Sequence, residues 1–417
     1  MSAGIFLDRM QALITLLLAP LVSLSAWGRK RLAFEAQRSA PTQDPQWAFH
    51  VSSEGELEQV RPWISELLAR GERLQLLFTS ESVLKAQQEL LRLHPQQVEL
   101  IPLPLLSYRP GLLRRLVRAP RVVMVRYDFF PHLLRLARER QAVLVWASLI
   151  GKEDRVRFFQ WRAFYHWLFS AFKLIVPATV ADEELLRSMG LAGVAAACEM
   201  RVARIDARLA QAPATFASKF PHWEKFQAWW QQVPRERRLV LGSVWESDLA
   251  LFSDQAFRAE LASGQWRVAV VPHKLSAQWS EKLASIGVTS FDVHSNWPGS
   301  ASGSCAVINL KGVLCEFYGE AHWAYVGGGF ERSVHSVLEP FVAGASVRCG
   351  RAVHRSSEVR LIQAVAPHRL AVLADAQELF GSLISSPPPQ NLTGLPEWRD
   401  NQKMLLVSHL QRARALC

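Results

Sequence analysis

The sequence predicts an α/β protein built from two Rossmann-like domains and led by an N-terminal apolar anchor. Three observations carry that reading. Short apolar runs alternate with amphipathic stretches in two separate series; a segment without that rhythm divides them; and an uncharged stretch near the N-terminus is followed at once by a basic cluster. At 417 residues and 49 % hydrophobic content the chain exceeds the size at which one core keeps growing, so two core-bearing domains are expected.

The anchor is placed at residues 1–28. Its stretch MQALITLLLAPLVSLSAW, residues 10–27, carries no charge and precedes Arg29, Lys30 and Arg31. As one helix it would reach about 27 Å, barely a hydrocarbon thickness, and Pro20 weakens its middle, so spanning the bilayer and lying in its surface both stay open. A cleaved signal peptide puts its charged end before the apolar run. Here Arg9 is offset by Asp8 and the strong cluster follows, which fits a retained anchor with the remaining chain on the cytoplasmic side.

The first domain, residues 29–206, runs through WAFHVS, a helix at 57–70, LQLLFTS, a helix at 82–93, VELIPLP, RVVMVRY, a helix at 132–141, AVLVWAS, a long aromatic helix at 155–172 and KLIVPA. Strands alternating with helices imply a parallel sheet covered on both faces. Residues 207–237, rich in Ala, Gln, Trp and scattered prolines, read as a linker. The second domain, residues 238–395, takes up the rhythm with RLVLGSV, WRVAVVPH, AVINL, HWAYVGGG, SVRCG and RLAVLA, and the proline run 387–389 ends it. A closing helix in residues 396–417 is long enough to pack back on the first domain. Two such halves facing a cleft at the carboxyl ends of their strands form the GT-B architecture.

A net charge of +11 and a pI near 9.8 call for an anionic partner: nucleic acid, anionic lipid or a phosphorylated substrate. No nucleic-acid-binding module is recognisable, which sets the first aside. Cys198, Cys305, Cys315, Cys349 and Cys417 are odd in number and include no CxxC pair, so they read as reduced thiols.

Chemistry concentrates at strand ends. HVSSEGE, residues 50–56, follows the first strand and clusters Glu54, Glu56 and Glu58. A carboxylate there serves either as a general base for a hydroxyl or, with Ser52 or Ser53, as part of a capping box. VGGGF, residues 326–330, follows a strand and leads to His335 and Glu339. Its amides and a helix expected from near His335 suit a phosphate, and Glu339 suits ribose hydroxyls. GSVWESD, residues 242–248, and VPHK, residues 271–274, add Ser243, Glu246, His273 and Lys274 at the ends of neighbouring strands. Without GxGxxG order or a Walker lysine, dinucleotide oxidoreductases and P-loop NTPases are set aside.

In order and spacing these pieces resemble the Kdo (3-deoxy-D-manno-octulosonic acid) transferase family across almost the entire chain. Its glycine-basic motif is WGRKR here, and its HAVSVGE is HVSSEGE, whose last residue, Glu56, is then the catalytic base, beside Ser53 and Gly55. METELWP corresponds to VRYDFFP, with Arg126 and Asp128 in place of the two acids, and NARLS only loosely to WASLI, residues 146–150. THEGE corresponds to VWESD, VPRHPE to VPHKLS, and VGGSF with GGHNPLEP to VGGGF with SVHSVLEP, where Ser336 replaces Asn.

The resemblance implies an inverting, metal-independent transferase that moves Kdo from CMP-Kdo to the lipid A precursor, needs no cofactor, and works at the cytoplasmic face of a bacterial inner membrane against its anionic surface. Acceptor contacts fall to Ser53, Gly55, Arg126 and Asp128. Donor contacts fall to Ser243, Glu246, His273, Lys274, Gly327, Gly328, Gly329, His335, Ser336 and Glu339, with Glu358 near a later acid. The departures at Arg126, Trp146 and Ser148 keep open another nucleotide sugar or lipid acceptor. A noncatalytic membrane scaffold of the same fold is the alternative from another class.

Overall fold

The computed structural model describes residues 3–416 except 110, 127, 158, 294–302, 332, 355 and 386–393, so the proline run 387–389 lies outside the described residues. The chain divides into two compact units, Met1–Arg201 with Gln402–Cys417, and Val202–Asn401.

The first unit is built on β1 (Trp47–Val51), β2 (Leu74–Phe78), β3 (Val98–Pro102), β4 (Arg121–Val125), β5 (Gln141–Ala147) and β6 (Leu174–Pro177), all parallel in the order β3-β2-β1-β4-β5-β6. These strands read as nearly unbroken apolar runs because helices cover both faces of the sheet. Chain order reverses between β1 and β4, and it is there that HVSSEGE and VRYDFFP emerge.

The apolar N-terminal run does not fold as one long helix. It breaks between α1 (Ala3–Ser23) and α2 (Ala26–Glu35), where Ser25 caps α2 through Gly28 N. A Cβ on Gly28 would lie 1.9 Å from the Val22 carbonyl, so glycine permits the corner. Among the described residues no helix is long and apolar enough to cross a membrane. Ala12 joins the core, Thr15 bonds the Leu105 carbonyl at 3.5 Å, and Gln11 accepts from His132 N at 3.3 Å, while Leu13, Leu16, Leu17, Leu21, Leu24 and Trp27 face outward.

Arg31, read from the sequence with the surface cluster, is committed inward. It donates to the Thr79 and Leu103 carbonyls and to Glu35, whose carboxylate also accepts from Leu105 N, Leu106 N, Ser107 N and the Ser107 hydroxyl. Burial raises the Glu35 pKa, but these donors outweigh it and leave the group below its usual range.

The second unit carries β7 (Arg238–Val244), β8 (Arg267–Pro272), β9 (Ser290–Asp292), β10 (Cys305–Val307), β11 (Trp323–Val326), β12 (Ser346–Gly350) and β13 (Leu370–Leu373), parallel in the order β13-β12-β11-β7-β8-β10-β9. The reversal lies between β7 and β11, where GSVWESD and VGGGF emerge. Residues 207–237 are largely helical, in Arg201–Ala210, Ala212–Lys219 and Trp223–Trp230. Phe216, Phe220, Phe226, Trp229 and Trp230 are buried with Phe317 beside the sheet. Cys198, Cys305, Cys315 and Cys349 are free and buried.

Candidate active site

In the first unit, the chain leaves β1 through Ser52 and Ser53 into α3 (Glu54–Ala69). Ser53 is the N-cap, its hydroxyl accepting from Glu56 N at 3.3 Å, and the Glu56 carboxylate reaches back to accept from Ser52 N at 2.7 Å. The capping and base readings therefore describe one arrangement. Glu56 is only 8 % exposed, and burial pushes its pKa up to about 7; the Ser52 and Ser53 amides and the Arg126 charge pull it down, while the Asp128 charge pushes it further up. A carboxylate so poised is half ionised near neutrality, the condition a general base needs. Glu54 is exposed and Glu58 pairs with Arg61 at 3.2 Å.

Asp128 joins Glu56 through Ser52, whose hydroxyl donates to Asp128 Oδ2, and burial raises the Asp128 pKa as well. His50 is fully buried behind them, bonded to the Thr79 hydroxyl at 3.0 Å with Nε2 3.9 Å from Asp128; burial and the His132 charge hold it neutral, its pKa at about 3.

Arg126 and Trp146 sit at the ends of β4 and β5 with φ of 66° and 55°, unusual for residues other than glycine. At Trp146 the β5–β6 register shifts between Val145 and Ala147, and the Arg126 guanidinium lies 4.1 Å from the indole centre. Arg201 approaches the same ring at 5.5 Å. Gly55 is not required by packing, since a Cβ there would meet only the Ser53 hydroxyl at 4.0 Å.

In the second unit the same device recurs at Ser243, with φ 53° and a register shift between Gly242 and Val244. Here the glycines are demanded by backbone crowding. A Cβ on Gly327 would lie 2.3 Å from the Ser243 carbonyl, one on Gly329 would lie 2.6 Å from Gly350 N, and Gly328 has φ 86°. Buried Asp248 ties the loops together, accepting from Trp245 N at 2.8 Å, from the Tyr325 hydroxyl at 2.6 Å and from Gly328 N at 3.4 Å. His335 N donates to the Gly327 carbonyl, its ring stacks on His273 at 4.4 Å, and His273 stacks on Trp245 at 4.4 Å. Burial lowers both imidazole pKa values, aided by Lys274 at His273 and by His273 at His335. Lys274 Nζ stands 5.4 Å from the Trp245 ring.

The helix expected from near His335 begins only at Leu338 and ends at Val342, because Glu358 accepts from both the Ser336 hydroxyl and Leu338 N at 3.0 Å and fixes the preceding turn. Glu339 lies 3.7 Å from Arg208, which forks onto Glu316. Glu246 is set apart from the glycine turn: it is 71 % exposed along its side chain and paired with Lys282.

Ser243, the glycine turn, His335, His273 and Lys274 thus come together, with Ser336 next to His335 in the chain and Glu358 one hydrogen bond beyond it. The sequence reading took Ser52 only as a capping candidate and gave no role to His50, Trp245, Tyr325 or Asp248. His50 stands at the His of HAVSVGE, and Trp245 and Asp248 stand at the His and the second acid of THEGE; Tyr325 had no signal.

Residues 27–204 match 3-deoxy-D-manno-octulosonic-acid transferase (kdotransferase). This segment carries the domain of the Kdo transferase family. The protein is accordingly a glycosyltransferase. No curated protein matches the chain. Among solved structures, the UDP-GlcNAc 2-epimerase of Methanocaldococcus jannaschii is similar at 10 % identity and TM-score 0.55, covering 87 % of this chain and 99 % of its own. A glycosyltransferase of Rickettsia africae ESF-5 follows at 9 % identity and TM-score 0.52, covering 90 % and 99 %. These support a GT-B-like fold of two parallel-sheet units. The C-terminal CMP-Kdo binding domain of WaaA from Acinetobacter baumannii matches at 13 % identity over 50 % of this chain and 99 % of its own, with a TM-score of 0.34, too low to bear an argument.

Proposed function

We propose that this Kdo transferase family member moves Kdo from CMP-Kdo to a lipid A precursor with inversion. The observation that carries the reading is Glu56: a buried carboxylate at the switch point of the first sheet, in the family's own domain, with a pKa near 7. Inverting transfer asks for one base on the acceptor hydroxyl and for charge and hydrogen bonds on the departing CMP. Glu56 takes the hydroxyl proton as the new glycosidic bond forms and the bond to the CMP phosphate breaks. CMP is a modestly basic leaving group, so the turn amides, His335 and Lys274 suffice to receive its charge, and the scheme calls for no metal. Arg126 and Asp128 bind the acceptor beside Glu56. Ser336 and Glu339 serve the ribose side of CMP.

The inner-membrane placement belongs to the same proposal. On α1 the small residues Ala12, Thr15 and Ala19 are turned towards the protein while the large leucines face out, the reverse of a soluble helix, and Arg29 and Lys30 stand exposed next to them. A helix held along one side by the globular unit lies in the interface rather than across it. Leu17→Glu with Leu24→Glu is expected to move the protein from the membrane to the soluble fraction with its fold intact; unchanged membrane recovery would place the anchoring elsewhere.

Incubation of the purified protein with CMP-Kdo and tetraacyl lipid A precursor tests the activity. A product heavier by one or more Kdo residues supports it, and transfer only from another nucleotide sugar would reassign the donor.

A further inference from the structure

Trp245 stands where the family's THEGE motif has His, and its indole Nε1 lies 2.9 Å from His335 Nε2. An indole N–H can only donate, so His335 Nε2 must accept, and the single proton of the neutral imidazole is then on Nδ1. The indole is itself held on several sides. Its backbone N–H is bound to Asp248, which also accepts from Tyr325; its face lies against His273 with the planes 22° apart; and Lys274 approaches the ring. A cation near an indole face polarises the N–H and strengthens its donation.

The geometry points to Trp245 as a positioning residue that fixes His335 in its Nδ1–H tautomer, so that the imidazole meets a phosphate ester as a neutral, directional donor. Protonating His335 would place a hydrogen on Nε2 and break the indole bond, and both burial and His273 oppose that charge. Lys274 is then left to supply the cation for the leaving phosphate and His335 to supply direction. The tautomer stands on the geometry alone; its service to phosphate rests on the donor reading given above.

The test uses the full chain with ring-15N-labelled histidine, as wild type, Trp245→Phe and Trp245→His. Two-bond 1H–15N correlations assign the His335 tautomer, and calorimetry measures CMP affinity. Expected are the Nδ1–H form in the wild type, a shift towards Nε2–H in Trp245→Phe, and CMP affinity lower by about five- to tenfold, the worth of one oriented hydrogen bond. Trp245→His, which keeps a ring N–H, should recover much of both. A wild-type proton on Nε2, or no tautomer shift in Trp245→Phe, overturns the assignment; a tautomer shift in Trp245→Phe that leaves CMP affinity unchanged overturns its service to phosphate. If the wild type shows the Nδ1–H form and binds no CMP, the donor reading fails while the tautomer assignment stands. Should Trp245→Phe not fold, the wild-type tautomer and Trp245→His still decide.

Discussion

The two units use one backbone device for opposite chemistry. Each sheet reverses its order at a switch point, and near it each has a strand whose register slips at a residue other than glycine held at positive φ: Trp146 in the first unit, Ser243 in the second. Around the first stand buried carboxylates whose pKa values are raised, Glu56 and Asp128. Around the second stand glycines, imidazoles whose pKa values are lowered, and a lysine. Strain of this kind persists only where surrounding structure enforces it, and it recurs at strand ends beside both proposed sites. On the proposed reading the fold supplies the location, and the side chains choose between accepting a proton and receiving an anion.

The sharpest way to break that comparison is Glu56→Gln. If Glu56 is the base, turnover should fall by roughly a hundred- to ten-thousand-fold while the fold and CMP affinity persist, measured by initial rates and calorimetry. Gln still accepts from Ser52 N, so a purely capping carboxylate would leave turnover largely intact. Glu54→Gln is the control, since Glu54 is exposed in the same turn. Loss of transfer in Glu54→Gln with an active Glu56→Gln would move the base by two residues.

A smaller effect separates the glycines. Gly327→Ala drives a Cβ against the Ser243 carbonyl at 2.3 Å, and backbone cannot step aside cheaply, so a loss of about 1–3 kcal/mol and a melting temperature lower by several degrees are expected, with weakened CMP binding. Gly55→Ala meets nothing closer than 4.0 Å and should leave the melting temperature within about a degree. Equal melting losses in the two variants would show that the units do not differ in this way. A stable Gly55→Ala with impaired turnover would instead show that substrate occupies the space beside Gly55.

Much of this was legible in the sequence because sheet strands buried on both faces announce themselves as apolar runs, and because glycine and acidic residues at strand ends stand out. Residues 207–237 hid their role. The spacing of Phe216, Phe220, Phe226, Trp229 and Trp230 is helical, but with scattered prolines and no strands around it the segment looked like a linker. Hydropathy does not register the corner at Ser25 and Gly28 that divides the N-terminal apolar run between two helices. Asp248 and Tyr325 were missed because their importance lies in a hydrogen bond across two strands, which no local pattern encodes. Glu246, the more conspicuous acid beside Asp248, went to the surface.

The pH dependence of Glu56 sharpens the comparison last and most finely. Burial raises its pKa from the ordinary 4.5 to about 7 in the folded protein, so folding favours its protonated form. The associated stability is full below 4.5, declines between 4.5 and 7, and is gone above 7, where the folded chain must carry a buried carboxylate. Glu56→Gln removes that titration. Relative to wild type, its melting temperature should therefore rise as pH climbs from 4.5 to 7, level off above 7 and change little with pH below 4.5. Catalysis runs the other way: wild-type kcat/KM should climb with pH up to about 7 and level off, because only the ionised carboxylate accepts the hydroxyl proton. A relative stability gain that levels off at the pH where the wild-type rate levels off would identify the same carboxyl group as the costly buried charge and the working base. Plateaus separated by more than about one pH unit would assign the kinetic ionisation to another group, Asp128 being the neighbour joined to it through Ser52.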